Sequence, residues 1–298
     1  MKPNLAVMLR GQMREWKNAK YNFFKAMERF EEHYNVVYFF VTWDHNYFST
    51  IMNDVTTVKI HQMRKISTID LLDIKNDFVD KNLANLKILS YQDVNRFMKN
   101  FKLAEEYHLI SYVRYIAGLI KQNYEIENDI LFDKVIETRP DIFIAAHEGD
   151  TNSFRPEITE VLPNFVYHAK SDIFPRDGEL KSGKDTIVNL NTLFIDDLMF
   201  ISNGLTSDIL TSEFAFLYSS RFDKIQTRMF PHSLLADFLM NFKLINISNL
   251  FICFKDVQIL RPLEYFDKPV NLLSSSDSTL AAVKNADQNF QNKKEQIT

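Results

Sequence analysis

The sequence predicts an α/β domain with a mixed, mostly parallel central sheet flanked by helices. Three observations carry that expectation. The chain opens with two apolar runs separated by an amphipathic stretch, the pattern of a strand–helix–strand unit. A second helix-then-strand unit occupies the middle of the chain. Apolar runs and helical stripes then recur between residues 193 and 260.

Asn4-Leu5-Ala6-Val7-Met8-Leu9 reads as the first buried strand, ended by Arg10-Gly11-Gln12-Met13-Arg14. Apolar residues at Trp16, Tyr21, Phe23, Met27 and Phe30, set between charged positions, predict an amphipathic helix. Val36-Val37-Tyr38-Phe39-Phe40-Val41 is the second strand, followed by Thr42-Trp43-Asp44-His45. Two arginines and a glycine therefore stand at the carboxyl end of the first strand, where open α/β sheets bind ligands. Val55 to Ile60 and Leu86 to Leu89 are further expected strands, with a charged helical segment from Ile69 to Leu83. From Glu105 onward, Leu109, Val113, Ile116 and Ile120 form the stripe of a solid amphipathic helix.

That helix leads into a strand from Lys134 to Thr138, which Arg139-Pro140 breaks. Proline lacks a ladder donor and biases the residue before it towards extended geometry, so a bulge is expected before the short apolar run Ile142-Phe143-Ile144. Glu137, Arg139 and Asp141 crowd together at this strand end. Charges so costly to bury belong to a site or to an internal salt bridge.

Residues 145 to 191 are polar and carry Pro156, Pro163 and Pro175, which predicts a loop-rich excursion. Leu193 to Asn203 resumes the core with Asp196 and Asp197 embedded in it. A strand sends neighbours to opposite faces, so only one of that pair can face a given cleft. Ser207 to Tyr218 reads as a helix, and Pro231 suits the start of another. Ile245 to Phe254 and Val257 to Leu260 are expected to close the fold as strands or a hairpin, before a polar tail beginning near Leu273.

Composition narrows the function. With 35 basic and 39 acidic residues in 298, the net charge of −4 gives no basic excess, so a nucleic-acid partner is not expected. The single cysteine, Cys253, excludes a disulfide framework and a cysteine zinc site, and fits a reducing, cytoplasmic setting. Asn4 to Leu9 is too short for a signal-peptide core, and no apolar run approaches the roughly 18 residues of a membrane span. Neither a Walker loop nor a Gly-x-Gly-x-x-Gly fingerprint occurs among the six glycines. The histidines at 45, 61, 108, 147 and 168 have no His-x-x-x-His spacing, and His232 follows a proline at a helix start.

The order of motifs resembles bacterial and phage surface-polysaccharide glycosyltransferases of the GT-A type, including the WavE-like lipopolysaccharide-synthesis group. The matching pieces are Leu9-Arg10-Gly11-Gln12-Met13-Arg14, Phe40-Val41-Thr42-Trp43-Asp44 and Val135-Ile136-Glu137-Thr138-Arg139-Pro140-Asp141-Ile142. Ile195-Asp196-Asp197-Leu198-Met199-Phe200 and Phe230-Pro231-His232-Ser233-Leu234-Leu235 complete the series, which spans residues 4 to 242.

The resemblance implies a single GT-A-like, Rossmann-like domain. Residues 1–145 would form its nucleotide-sugar-binding half, 146–272 its acceptor-binding half and 273–298 a flexible tail. It implies transfer of a sugar from a nucleotide diphosphate donor to a hydroxyl of a glycan or glycolipid. In that scheme Arg10, Gly11, Arg14 and Arg139 hold the diphosphate and Asp44 contacts the nucleoside. Asp141 faces the donor, with a divalent ion (Mn or Mg) if one is used, and Asp197 is the base. The chain departs from the pattern twice. It lacks Asp-x-Asp, having Arg139-Pro140-Asp141 instead, and it places His232 where such proteins often have Pro-Glu. These departures support an alternative, a catalytically degenerate relative that binds a carbohydrate or a protein. A metal-dependent hydrolase or nucleotidyltransferase is the third option.

Overall fold

A computed structural model describes residues 2–51, 58–100, 105–144, 161–168, 179–182, 186–189, 198–219, 235–236, 238–249 and 257–259. The first half runs β1 (Asn4–Gly11), α1 (Trp16–His33), β2 (Asn35–Trp43), β3 (His45–Ile51), β4 (Val58–Lys65), α2 (Thr68–Asp77), β5 (Leu83–Leu89), α3 (Tyr91–Asn100), α4 (Glu105–Asn128), β6 (Lys134–Thr138) and β7 (Ile142–Ile144). The second half adds β8 (Phe165–His168), β9 (Glu179–Ser182), β10 (Thr186–Asn189), β11 (Met199–Ser202), α5 (Gly204–Thr211), α6 (Glu213–Ser219), a π-helical turn Phe238–Phe242, β12 (Asn246–Asn249) and β13 (Val257–Ile259).

Seven strands form one sheet in the order β12-β8-β11-β6-β1-β2-β5. β11 alone is antiparallel to its neighbours, and the others run parallel to one another. The expected mixed, mostly parallel α/β architecture is therefore the one observed. Counted by appearance within this sheet, the order from the β5 edge is third, second, first, fourth, sixth, fifth, seventh. The chain builds outward from β1 through β2 to β5, then returns to place β6 on the other side of β1. That reversal is a topological switch point, and the region beyond the carboxyl ends of strands at such a point is where open α/β sheets bind ligands.

Both faces of the sheet are covered, which is why β1 and β2 read as unbroken apolar runs rather than alternating ones. Leu5, Val7 and Leu9 pack with Trp16, Phe23, Met27 and Phe30 of α1. Ala6 and Met8 pack on the opposite face with Leu109, Val113 and Ala117 of α4. Val166, Phe200, Leu210, Phe238, Leu239 and Ile245 form a third cluster beneath the second half. Trp16 fixes the start of α1. Its ring stacks on Phe78 with centroids 5.8 Å apart, and its indole N–H donates to Asp77 Oδ2 at 2.8 Å.

Several expectations are corrected. The apolar run after Pro140 does not continue strand β6 past a bulge; it leaves the main sheet and pairs as β7 with β13. β12 and β13 consequently belong to different sheets rather than to one hairpin. The excursion from 145 to 191 contains a sheet strand, β8, inserted between β11 and β12. The helix expected from Ser207 to Tyr218 is two short helices meeting at Ser212. A hairpin, β3–β4, follows β2 directly, and α3 appears where no helix was expected. The polar tail, Cys253, His232 and the aspartates at 196 and 197 lie outside the described residues.

Candidate functional site at the sheet switch point

Alternation along β1 sends Arg10 to the face of Ala6 and Met8, beneath α4. There it is 1% exposed, and its guanidinium pairs with Glu137 of β6. Glu137 stands opposite Met8 in the parallel ladder, which places both partners on one face. Glu137 Oε1 also accepts from Arg114 Nε of α4 at 2.8 Å, and Arg114 Nη1 donates to Glu213 Oε2 of α6 at 3.0 Å. Ser111 Oγ donates to the same Glu213 oxygen at 2.8 Å. The Phe200 ring lies 5.7 Å from the Arg10 guanidinium carbon and 5.1 Å from that of Arg114. Arg10 is thus an interior cation tying β1 to β6, not a surface group that a diphosphate can reach. The diphosphate contact expected of it is corrected on that ground.

Arg14 lies across the sheet from Arg10. Gly11, at φ +116°, turns the chain in a conformation that side chains rarely tolerate, and its Cβ position has no atom within 4 Å. The turn carries Arg14 to the α1 side, where Arg14 Nη2 donates to Asp141 Oδ2 at 2.8 Å. Asp141 heads β7, which packs against α1. Arg139 closes on the same carboxylate in a bidentate fork, Nε to Oδ1 and Nη2 to Oδ2, both at 2.8 Å. Asp141 is fully buried, whereas the side chains of Arg14 and Arg139 keep 10% and 18% of their surface exposed.

Electrostatics separate Glu213 from the other two buried carboxylates. Burial pushes the Glu137 carboxyl up, but the charges and hydrogen bonds of Arg10 and Arg114 outweigh it and hold the pKa below the usual carboxylate value. Burial likewise opposes ionisation of Asp141, and Arg139 and Arg14 again win, lowering its pKa. Glu213 differs: burial dominates over Arg114 and Ser111, and its pKa is raised.

Arg14, Arg139 and Asp141 therefore meet just past the Gly11 turn at the switch point, while Arg10 and Asp44 lie apart from them. The setting adds features that suit an anion. Arg14 Nε is buried without a hydrogen-bond partner among the described residues, as is Thr42 Oγ1, whose residue sits opposite Gly11 in the ladder. The Glu15 side chain does not cap α1; it accepts from Asn18 Nδ2 at 2.6 Å. A helix start of this kind, with no acidic residue in its first turn, favours negative charge.

Asp44 stands at the same sheet edge, one strand over. Its Oδ1 accepts from the Tyr91 backbone N–H that opens α3 and contacts His45 Nδ1, both at 2.8 Å. It is a helix-capping carboxylate with part of its surface open, and no direct contact with the arginine pair is seen among the described residues. Asp197 lies outside those residues. Leu198, the next in the chain, accepts from Thr138 Oγ1 at 3.2 Å, beside the end of β6.

A divalent metal at Asp141 does not fit the observed donor set. Both carboxylate oxygens already accept guanidinium N–H groups, and the side chain is inaccessible. Repulsion between like unit charges is about 4 kcal/mol at ~4 Å in an effective dielectric of ~20, and a dication would meet it twice over from each arginine. No group of three His, Cys, Asp or Glu side chains suited to a metal occurs among the described residues.

Sequence reasoning missed Arg114 and Glu213. Ser111, Arg114, Gly118, Lys121 and Glu125 form a second stripe along α4, at helical spacing and beside the apolar one. It faces α5 and α6: Lys121 Nζ lies 2.9 Å from Asp208, and a Cβ on Gly118 would collide with Thr211. A polar stripe centred on glycine was the available signal. Compared with protein-family models and with curated proteins, the chain matches none.

Proposed function

We propose that this protein is a glycosyltransferase that moves a sugar from a nucleotide diphosphate donor to a hydroxyl of a glycan or glycolipid. One observation carries the reading: Arg14 and Arg139 converge on Asp141 just past the Gly11 turn at the switch point, next to the start of α1, whose first turn carries no acidic residue. The diphosphate is the group those donors suit, through forked N–H groups and fixed positive charge. In the transfer, the bond from the anomeric carbon to the diphosphate oxygen breaks and the diphosphate leaves with the electron pair. The acceptor oxygen bonds to that carbon and gives its proton to a carboxylate base. Asp197 is the base proposed from the motif resemblance, and Asp44 the nucleoside contact. The cytoplasm is the proposed setting, since the single cysteine fits a reducing compartment.

The test is a panel of nucleotide sugars and free nucleoside diphosphates, followed by thermal shift and calorimetry with and without manganese. Stabilisation by at least one member, and release of its diphosphate when an acceptor glycan is added, is the expected result. No binding to any member in either condition sinks the proposal.

The full engagement of Asp141 favours a second reading, a non-catalytic binding module. Donor binding without turnover, unchanged by Asp197→Ala, would support it.

A further inference from the structure

We propose that the donor's diphosphate is neutralised by Arg14 and Arg139 without a divalent cation, and that Asp141 is the positioning residue that presents the two guanidiniums to it. This rests on the nucleotide-diphosphate reading above and specifies how that site works.

The geometry assigns each group a task. Asp141 accepts three N–H bonds on two oxygens, two from Arg139 and one from Arg14, which fixes both guanidinium planes from behind. It uses only Nη2 of Arg14, while Arg14 Nε remains buried with no partner among the described residues. A buried donor with nothing to bond is costly to keep, and a ligand oxygen would satisfy it. The open space at Gly11 leaves room for an oxygen-rich group to approach the backbone closely. Among the described residues, two guanidiniums, Arg14 and Arg139, share the one carboxylate of Asp141. A dianionic diphosphate complements the two guanidiniums; a dication is repelled by them.

Asp141 therefore occupies the place of a metal ligand by position but not by chemistry. In a metal site the carboxylate is aimed at the ligand and loses affinity when neutralised. Here it is aimed away, at the arginines, and its removal should loosen them without removing the attraction.

The experiment uses the full chain and inorganic pyrophosphate as a base-free probe, alongside uridine, guanosine, cytidine and adenosine diphosphates. Affinity is read by calorimetry in EDTA and again with manganese. Pyrophosphate and at least one nucleoside diphosphate should bind in EDTA, with affinity changing less than about threefold on adding metal and falling as salt is raised. Arg14→Gln should weaken binding in EDTA by roughly tenfold, the loss of one charge-assisted contact. Asp141→Asn should weaken binding in EDTA, but by less than Arg14→Gln does, and an affinity equal to wild type would remove Asp141 from its positioning role. Should Asp141→Asn fail to fold, the wild-type metal comparison and Arg14→Gln still decide the matter. Binding that appears only with manganese, or an Arg14→Gln protein as tight as wild type, overturns this inference and leaves the donor reading standing. Absence of binding with and without metal overturns both.

Discussion

The protein holds two arginine–carboxylate clusters four residues apart along one strand and its turn, and they behave oppositely. Arg10, Glu137, Arg114 and Glu213 form a closed chain between the sheet and α4–α6, with equal numbers of cations and carboxylates, all four at 1% exposure. Arg14, Arg139 and Asp141 form an open one, with two partly exposed guanidiniums on one fully buried carboxylate. Both use the same residue types at the same strand ends. Alternation along β1, followed by the glycine turn, decides which arginine becomes structure and which stays at the switch point. A charged motif at a strand end is thus no single feature, since its members divide by face.

The sharpest break of that contrast is Glu137→Gln. It leaves two buried guanidiniums short of their shared carboxylate and should cost about 3–5 kcal/mol of stability, read as a lower urea midpoint. A loss under about 1 kcal/mol would mean the closed cluster is not a structural tie. Arg14→Gln comes next, at about 1.5–3 kcal/mol, because Asp141 keeps its bidentate Arg139. Arg14→Gln should lose more diphosphate binding and less stability than Arg10→Gln does. Similar profiles for the two arginine variants would erase the distinction.

Gly11→Ala should cost on the order of 1 kcal/mol, from backbone strain at positive φ rather than from crowding, because the space there is open. A calorimetric loss of diphosphate binding larger than that stability loss would place the added methyl at the binding site.

The smallest effect concerns pH. Glu137 and Asp141 have depressed folded-state pKa values, so their stabilisation is complete above the unfolded pKa and is lost as pH falls through the folded one. Glu213 is raised, so its contribution is complete below the unfolded pKa and is lost as pH rises through the folded one. Glu213→Gln should therefore gain on wild type as pH rises above the usual carboxylate range. A difference in urea midpoints that stays flat with pH would refute the assignment.

The first half of the fold was legible because β1, β2 and α4 carry strong periodic or continuous apolar signals. β6 was read to its observed ends, Lys134 and Thr138. β8 was not, because four residues in a proline-bearing polar stretch become a strand only through pairing with β11 and β12, contacts distant in sequence. The crowding of Arg139 and Asp141 was visible locally. Their union with Arg14 rather than Arg10 was not, because it depends on the turn at Gly11 and on β7 leaving the sheet for β13. Arg114 and Glu213 stayed hidden for a similar reason: each is an ordinary helical residue until α4 and α6 are packed together.

The reversed strand β11 has a consequence for how the chain tolerates change in length. The other six strands of the sheet end at the edge where Gly11 and Thr138 stand, while β11 begins there, with Leu198 against Thr138. Insertions after Ser202 therefore fall at the far rim, near Gly204 and Phe132, and leave the register at the switch point alone. Insertions just before Met199 shift what the chain presents there. On this one strand, the edge open to evolutionary remodelling is the amino end.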